Sequence, residues 1–409
     1  MEIRRYTGIR NNLSEERFRA GDLISAANVD LDNTGKPLSR LGFSLEVDDS
    51  AYHSIFSMNG TTFVGRGTRL CRYTPPSSIS DIANLISTNP VSYEHLVNKI
   101  YMSNGSVNLV AEGGSVRKWG IDVPVQQPLA NATAGGLRPG RYLYAMTFGC
   151  ADGQESGTGA SGSIELTATG GIAFVGMQVS DDPRVDRKTV YVTAPYGEAL
   201  IASLVVDNAL ETAVLTDLIA GHVLDKQFCG PPPAGSIVRY HAGHMYVVAG
   251  EYSYFSREYD PELFYRLGTY LRFPGEVMMF EPVADGIFVA TAEDTWFLSG
   301  KQPGAFTSVH KFPYGAIRGT SVRVIAGDIE SPFQGEIEGQ RSGDGVLWTS
   351  SQGICGGFDG GEAKNYTQAK YGFPSADRGA SLLRKDRGYI SFVTTLQGVS
   401  PAENVYSRG

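Results

Sequence analysis

Short apolar stretches separated by turn residues dominate the pattern of the chain. In residues 26–43, apolar and acidic side chains alternate up to the turn Asn33-Thr34-Gly35, which predicts a β-hairpin. Residues 53–73 repeat this pattern around Asn59-Gly60, a pair in which both residues tolerate positive φ. Three further short strands are predicted in residues 99–121, as in a propeller blade or a barrel.

One stretch departs from this rhythm and predicts helix. Residues 78–97 contain ISDIANLI and SYEHLV, with Pro90 as a break between them. Residues 125–140, VQQPLANATAGGLRPG, are predicted to be a linker because small residues, Gly and Pro dominate them.

After this linker the strands become longer and their spacing steadier. The stretch 137–225 predicts an inserted β-sandwich of the immunoglobulin or fibronectin type, closed by the stiff spacer Pro231-Pro232-Pro233. Short strands return from residue 236 and end at glycines every 8 to 15 residues, at Gly286, Gly300, Gly345, Gly353 and Gly361.

The predicted fold class is therefore all-β, a β-propeller carrying an inserted sandwich. Residues 1–136 and 226–409 are predicted to be the first and second parts of one propeller, because neither part alone offers enough strands to close. At roughly 40–50 residues per blade, they allow about six or seven blades at most.

The glycine-rich stretch 346–367, VLWTSSQGICGGFDGGEAKNYT, could hold a phosphate or could turn corners between strands. A phosphate loop needs a following helix whose free N–H groups face the anion. The residues after Gly361 have no apolar face at helical spacing, and no Gly-Lys-Ser/Thr occurs here. The glycines are therefore interpreted as turn residues between blade strands.

Composition and charge narrow the classes of function. The 409 residues are 42% hydrophobic and include 50 Gly and 20 Pro, a composition typical of a folded chain rich in turns. The net charge of −8 and the lack of a basic run argue against sequence-specific nucleic-acid binding. The first residues show no apolar stretch of a secretory signal, and no stretch approaches a membrane span.

Candidate catalytic and metal-binding patterns each fail on a particular residue type. Asp30, Asp32, Thr34 and Gly35 match the start of a calcium loop, but Leu41 occupies the position of its bidentate glutamate. The histidine pair, the stretch 342–348 and the cysteines give weaker signals for a functional site. His241 and His244 are not expected to share a face, and residues 342–348 only approximate the Asp box of sialidases. Four scattered cysteines, Cys71, Cys150, Cys229 and Cys355, predict buried thiols.

No nucleophile elbow occurs, and no local signal selects a carboxylate pair for glycoside hydrolysis. The chain is therefore predicted not to be an enzyme and to use no cofactor and no metal.

Several stretches together resemble the β-propeller tail hub or nozzle proteins of short-tailed bacteriophages, also called packaged-DNA stabilisation or head-completion proteins. They are GIRNNLSEERFRAGDLISAANVDLDNTGKPLSRLGF, KIYMSNG with SVRKWGI, YSYFSREYDPELFY with LRFPGEVMMFEPVADGIFVATAEDTWFLSG, and VLWTSSQGICGGFDGGEAKNYT. The resemblance covers most of the chain outside the sandwich. It implies no catalytic residues.

The resemblance implies a structural virion protein of the tail, assembled in the host cytoplasm. Its partners would be five further copies in a hexameric ring, the portal and adaptor above it, and tail fibre, spike or needle proteins. Double-stranded DNA would be retained by the ring and would later pass through its lumen. An acidic wall suits this passage, because each phosphate contact would add affinity and slow the DNA.

Two alternatives belong to other classes. One is a carbohydrate-binding or carbohydrate-cleaving propeller, such as a tail depolymerase or receptor-binding module, whose grooves the abundant tyrosines and phenylalanines could line. The other is a bacterial adhesin with an immunoglobulin-like domain, which the absence of a predicted secretory signal disfavours.

The candidate interface lies in residues 251–273, EYSYFSREYDPELFYRLGTYLRF. This segment is predicted to be a long connection between strands, rich in the aromatic and arginine side chains typical of interfaces. The residues selected are Tyr259, Phe264, Tyr265, Arg266 and Tyr270. The alternative is that these aromatic side chains pack inside a blade.

Overall fold

Antiparallel β-strands form almost the whole fold. The computed structural model describes residues 6–10, 13–24, 26, 29–31, 34–39, 45, 47, 51–58, 60–76, 78–266, 268–325, 343–368, 370–371, 376–386 and 389–397. No α-helix occurs among these residues, and three short 3₁₀ turns lie at Glu15–Arg17, Pro303–Ala305 and Asp359–Gly361.

The first part of the chain contains a small N-terminal group of strands and two propeller blades. The N-terminal strands are β1 (Gly8–Ile9), β2 (Asp22–Leu23), β3 (Val29–Leu31) and β4 (Pro37–Ser39). Blade 1 consists of β5 (Tyr52–Met58), β6 (Thr61–Arg66), β7 (Arg69–Thr74) and β8 (Ser78–Asn84). Blade 2 consists of β9 (Ser92–Leu96), β10 (Lys99–Ser103), β11 (Asn108–Glu112) and β12 (Ser115–Lys118).

The middle of the chain forms two sheets around one core. The strands are β13 (Leu129–Leu137), β14 (Gly140–Cys150), β15 (Gly162–Leu166), β16 (Gly170–Val175), β17 (Val185–Val192), β18 (Ile201–Asp207) and β19 (Thr212–Leu215). The sheets have the strand orders β13-β16-β19 and β15-β14-β17-β18. Buried side chains of both sheets, among them Tyr144, Phe148 and Phe174, pack in one cluster. The inserted sandwich of the immunoglobulin or fibronectin type stays a prediction.

The last part of the chain contains three blades and a hairpin. Blade 3 consists of β20 (Cys229–Gly230), β21 (Ile237–His241), β22 (His244–Ala249), β23 (Tyr252–Arg257), β24 (Asp260–Tyr265) and β25 (Tyr270–Arg272). Blade 4 consists of β26 (Met279–Val283), β27 (Gly286–Ala290), β28 (Thr295–Ser299) and β29 (Thr307–Phe312). Blade 5 and the hairpin consist of β30 (Val322–Ile325), β31 (Asp344–Ser350), β32 (Gly353–Phe358), β33 (Glu362–Asn365), β34 (Arg378–Asp386) and β35 (Tyr389–Gln397).

Each blade has an edge strand, β5, β9, β21, β26 or β30, that we call its first strand, and blades 1 to 4 contact one another through these strands. Strand β5 contacts β9, β9 contacts β21, and β21 contacts β26, although the strands of residues 129–215 come between β9 and β21 in sequence. The chain is thus a β-propeller, as the turn spacing predicts.

The central strands of the blades are buried on both faces. In β22, Met245 and Val247 enter the core shared with blade 2, while Tyr246 and Val248 enter the core shared with blade 4. A strand between two neighbours therefore needs apolar residues at consecutive positions, as in a buried sheet. This packing explains the continuous apolar runs HMYVVA and GIFVA.

Two predictions of local structure are wrong. Residues 78–97 form the strands β8 and β9 in place of a helix, because β8 completes blade 1 and β9 begins blade 2. Residues 125–140 include the strand β13, which lacks an apolar pattern and is held by backbone hydrogen bonds to β16. The hairpins predicted at 26–43 and 53–73 are confirmed by the β3–β4 and β5–β6 pairings.

The glycine-rich stretch does form blade strands, β31 to β33, but two of its glycines are not turn residues. Gly356 and Gly357 lie inside β32. A Cβ atom on Gly357 would come within 2.6 Å of the Phe288 ring in blade 4. Gly357 is therefore required by the close packing of an aromatic ring from the next blade.

Candidate functional site

Four charged side chains meet at the propeller axis. Glu94, Arg239 and Glu281 each occupy the third position of the first strand of their blade, and Arg323 occupies the second position of β30. A charged residue within each of these short strands is a signal in the sequence, although none of the four belongs to the predicted site residues.

These side chains form one ion-pair network across four blades. Arg323 donates to both carboxylate oxygens of Glu94, at 3.1 and 2.9 Å, and through Nε to Glu281 Oε2 at 3.2 Å. Arg239 donates from Nε to Glu281 Oε2 at 2.8 Å and pairs with the second oxygen of this carboxylate. The Ser321 hydroxyl also donates to Glu281, at 2.8 Å. Because Glu94 belongs to blade 2 and Arg323 to blade 5, the network braces the axis.

Burial and ion pairing act on the Glu281 carboxyl in opposite directions. Glu281 is buried, which by itself would raise its pKa. Arg239, Arg323 and the Ser321 hydroxyl outweigh burial and lower the pKa of Glu281 to about 2. The carboxylate is therefore charged and compensated at neutral pH.

A cavity of about 810 Å³ opens where the first strands of blades 3, 4 and 5 end. It is lined by aromatic, amide and charged side chains of both signs: Tyr240, His241, Glu258, Tyr259, Lys301, Gln302, Arg323 and Asp344. We refer to this space as the mouth cavity. Its lining comes from residues far apart in sequence and depends on the packing of three blades.

The predicted interface residue Tyr259 lies at the rim of the mouth cavity. It sits in the turn between β23 and β24 with φ +58°, and 77% of its surface is exposed. Its backbone N–H donates to the Gly243 carbonyl at 2.7 Å. A Cβ atom on Gly243 would lie 3.2 Å from the Tyr259 ring, so the ring packs closely over this glycine.

The histidines His241 and His244 do share a face, in contrast to the prediction. They are paired directly across the β21–β22 hairpin, and residues opposite each other in an antiparallel pair point to the same side. His241 Nε2 donates to the Gly300 carbonyl at 3.0 Å, and His244 Nδ1 donates to the Ser256 carbonyl at 2.9 Å. Burial lowers the pKa of His241, so its ring is neutral at pH 7.

The segment 251–273 is not a long connection. It forms the strands β23, β24 and β25, in which the aromatic residues alternate between blade faces. The prediction that this segment is a long connection between strands is therefore wrong. The structure also separates the selected residues into different environments.

Phe264 belongs to a core and not to the surface. It is 1% exposed and packs in the cluster between blades 2 and 3, with its ring centroid 5.8 Å from that of Trp119. Tyr265 is 37% exposed, and Arg266 lies on the surface beside Phe228, which comes shortly before blade 3 begins. Neither of these two side chains lines the mouth cavity.

Tyr270 belongs to a patch of surface tyrosines on blade 3. It is opposite Tyr254 in the β23–β25 pairing, and its ring centroid is 5.1 Å from that of Tyr252. The Arg272 guanidinium lies 5.9 Å from the centre of the Tyr252 ring. Tyr270 is 46% exposed, so an interface role for it stays a prediction.

A third buried carboxylate, Glu262, joins blade 2 to blade 3. Arg117 donates to both of its oxygens, at 2.7 and 2.6 Å, and Lys99 Nζ donates at 3.1 Å. Burial by itself would raise the pKa of Glu262, but Arg117 and Lys99 outweigh it and hold the pKa at about 2. The ordinary value is 4.5.

We expect this carboxylate to make the stability of the propeller depend on pH. The folded-state pKa is depressed, so the contribution is fully present above about pH 4.5 and is lost as the pH falls towards 2. Its size is about 3 kcal/mol. Urea unfolding at pH 7 and pH 3 should show a smaller difference in Glu262→Gln than in the wild type. Equal differences in both proteins would contradict the assignment.

The predicted buried thiols are confirmed in the described part of the chain. All four cysteines are buried, and burial raises the pKa of Cys71, Cys150 and Cys355 to about 11. No cluster of His, Cys, Asp or Glu suited to a metal ion occurs among the residues described. Within the same residues, no helix is long and apolar enough to span a membrane.

Comparisons with known proteins give only distant structural similarity. Neither a family model nor a curated protein matches the chain. The structure of a streptogramin B lyase is similar over 87% of this chain and 96% of its own, at 9% identity and a TM-score of 0.33. The AfRom2 CNH domain is similar over 86% and 96%, at 8% identity and a TM-score of 0.27.

A third similar structure is PorZ, a surface component of the type-IX secretion system of Porphyromonas gingivalis. It is similar over 82% of this chain and 50% of its own, at 10% identity and a TM-score of 0.20. The propeller assignment follows from the sheets of this chain itself.

Proposed function

We propose that this chain is a structural subunit of a short-tailed phage tail, forming a ring-shaped nozzle or hub below the portal and adaptor. The ring would retain packaged DNA and form the conduit for its ejection. The observation that carries the proposal is the ion-pair network at the propeller axis.

A propeller that acts on a ligand at its axis needs polar side chains free to contact the ligand. Here Glu94, Arg239, Glu281 and Arg323 are bonded to one another, and their donors and acceptors hold blades 2 to 5 together. A braced axis suits a subunit that keeps its shape while its outer surfaces make contacts. The partners proposed for those surfaces are further copies of the chain, the portal and adaptor, and tail fibre, spike or needle proteins.

The acidic balance of the chain agrees with a conduit for DNA. Six copies with a formal charge of −8 each would form a strongly negative ring. Such a ring would bind DNA phosphates weakly and would therefore let the DNA slide. The virion tail is the proposed location, and assembly would take place in the host cytoplasm.

Native mass spectrometry and negative-stain electron microscopy of the purified protein test the ring directly. We expect a species of six times 44.0 kDa and a ring-shaped particle with an open centre. A monomer at every soluble concentration would contradict the proposal. Release of reducing ends from capsular polysaccharide would favour the alternative of a carbohydrate-cleaving propeller, whereas the tail proposal expects none.

A further inference from the structure

We propose that the mouth cavity is a binding site for a neutral oligosaccharide, with Tyr259 as its main contact residue. This site goes beyond the tail role proposed above and does not depend on it. Three observations carry the inference: the size of the cavity, the backbone conformation of Tyr259, and the balanced charge of the described lining.

The cavity has the size of a small-molecule site. Its volume of about 810 Å³ lies within the roughly 300–1,000 Å³ that is typical of ligand pockets. Hairpin turns and strand ends of blades 3, 4 and 5 form its wall. Because these blades are braced by the axial ion pairs, the wall is largely formed before a ligand arrives.

Tyr259 is held in a conformation that its side chain does not favour. Its φ of +58° lies in the left-handed region, where turns normally select Gly, Asn or Asp. A bulky and highly exposed aromatic ring gains no stability there from burial. Strained residues of this kind cluster at functional sites, where the surrounding structure maintains them. The ring, supported by Gly243, is available for contact at the rim of the cavity.

The chemistry of the described lining selects a neutral, hydroxyl-rich ligand. Lys301 and Arg323 are matched by Glu258 and Asp344, so an ion of either sign would meet a like charge. The Arg323 charge is moreover bonded to Glu94 and Glu281. A ligand can therefore contact the aromatic surface and the hydrogen-bonding groups of the lining.

A pyranose ring fits this combination. Its C–H bonds can stack on the negative π-face of a tyrosine, while its hydroxyls bond to amide and carboxylate groups. Gln302 belongs to this lining and is held only by long contacts, with its Nε2 3.5 Å from Glu258 Oε1 and its Oε1 3.4 Å from His244 Nε2. Such contacts are weak, so the amide can exchange them for ligand hydroxyls. The neutral ring of His241 adds no charge to the site.

Saturation-transfer NMR and calorimetric titration with defined hexasaccharides test the site. The probes are maltohexaose, cellohexaose and chitohexaose, with the hexamer of galacturonic acid as the anionic comparison. We expect at least one neutral probe to bind the wild type, and Tyr259→Ala to weaken that binding at least tenfold. Tyr259→Phe should stay within about threefold of the wild type, because the stacking face remains.

Two further variants separate binding from folding and from assembly. Tyr259→Gly removes the ring and relieves the left-handed strain, so its melting temperature should be equal to or above that of the wild type while binding is lost. Tyr270→Ala removes a half-exposed tyrosine outside the cavity and should bind like the wild type.

Several results would overturn the inference. They are the absence of binding to all three neutral probes, preference for the galacturonic acid hexamer, unchanged binding by Tyr259→Ala, or loss of binding in Tyr270→Ala. If Tyr259→Ala keeps its sugar affinity but fails to form rings in native mass spectrometry, Tyr259 is a subunit-interface residue. Rings without sugar binding would reject this site and leave the tail proposal intact.

Discussion

Replacing Arg323 by Met is expected to lower the free energy of unfolding of the propeller by about 3–5 kcal/mol. The substitution keeps a long apolar side chain but removes the only cation that bonds to Glu94 among the described residues. Glu281 would retain Arg239 alone. The buried Glu94 carboxylate would then have no compensating charge among the described residues, and leaving a buried charge unpaired is costly.

Denaturant unfolding followed by tryptophan fluorescence measures this effect on the propeller specifically. The chain contains three tryptophans: Trp119 directly after blade 2, Trp296 in blade 4 and Trp348 in blade 5. The matched control is Arg66→Met, because Arg66 pairs with Asp81 at 2.8 Å and the Asp81 carboxylate is 45% exposed, whereas the carboxylates bound by Arg323 are buried. We expect the control to change stability by at most about 1 kcal/mol. Similar losses in both variants would contradict a special role of the axis.

Adding Glu94→Gln to Arg323→Met should restore part of the lost stability. The second change removes the Glu94 charge that Arg323→Met leaves uncompensated, and residues of one network are expected to be non-additive. Strictly additive losses would mean that the two side chains act independently, in disagreement with their hydrogen bonds of 2.9 and 3.1 Å.

Replacing Phe264 by Ala is expected to lower the free energy of unfolding by about 3–5 kcal/mol. The ring is fully buried between blades 2 and 3 against Trp119 and Tyr101, and its removal leaves a cavity that packed strands cannot close. The same fluorescence measurement applies, because Trp119 contacts the substituted ring.

Tyr265→Ala is the control for this position. Tyr265 is the next residue in β24 and is 37% exposed, so its truncation should cost less than about 1 kcal/mol. A Phe264→Ala protein of normal stability that fails to form rings would restore the interface interpretation of Phe264. Loss of stability in this variant alone would assign Phe264 to the core.

The sequence predicted the features that depend on neighbouring residues. Turn pairs such as Asn59-Gly60 and the regular glycine spacing led to hairpins, meanders and the all-β propeller, because a tight turn needs particular backbone conformations at particular residues. The same local reasoning failed at residues 78–97, where a weak helical pattern lost to the pairing of β8 with β7. It also failed at β13, where small side chains carry no apolar pattern and backbone hydrogen bonds to β16 decide the strand.

The functional geometry depended on contacts between residues distant in the chain. Glu94 and Arg323 are 229 residues apart in the sequence and form an ion pair. Gly357 is required because a phenylalanine ring of another blade packs against it. The selected segment 251–273 was aromatic in the sequence, but only blade packing buried Phe264 and left Tyr259 exposed at the mouth cavity. By itself the sequence determined the hairpin turns and the all-β class, because tight turns are set by a few adjacent residues. The tertiary structure decided which charges meet, which rings are buried and where a cavity opens, because these depend on which strand faces meet.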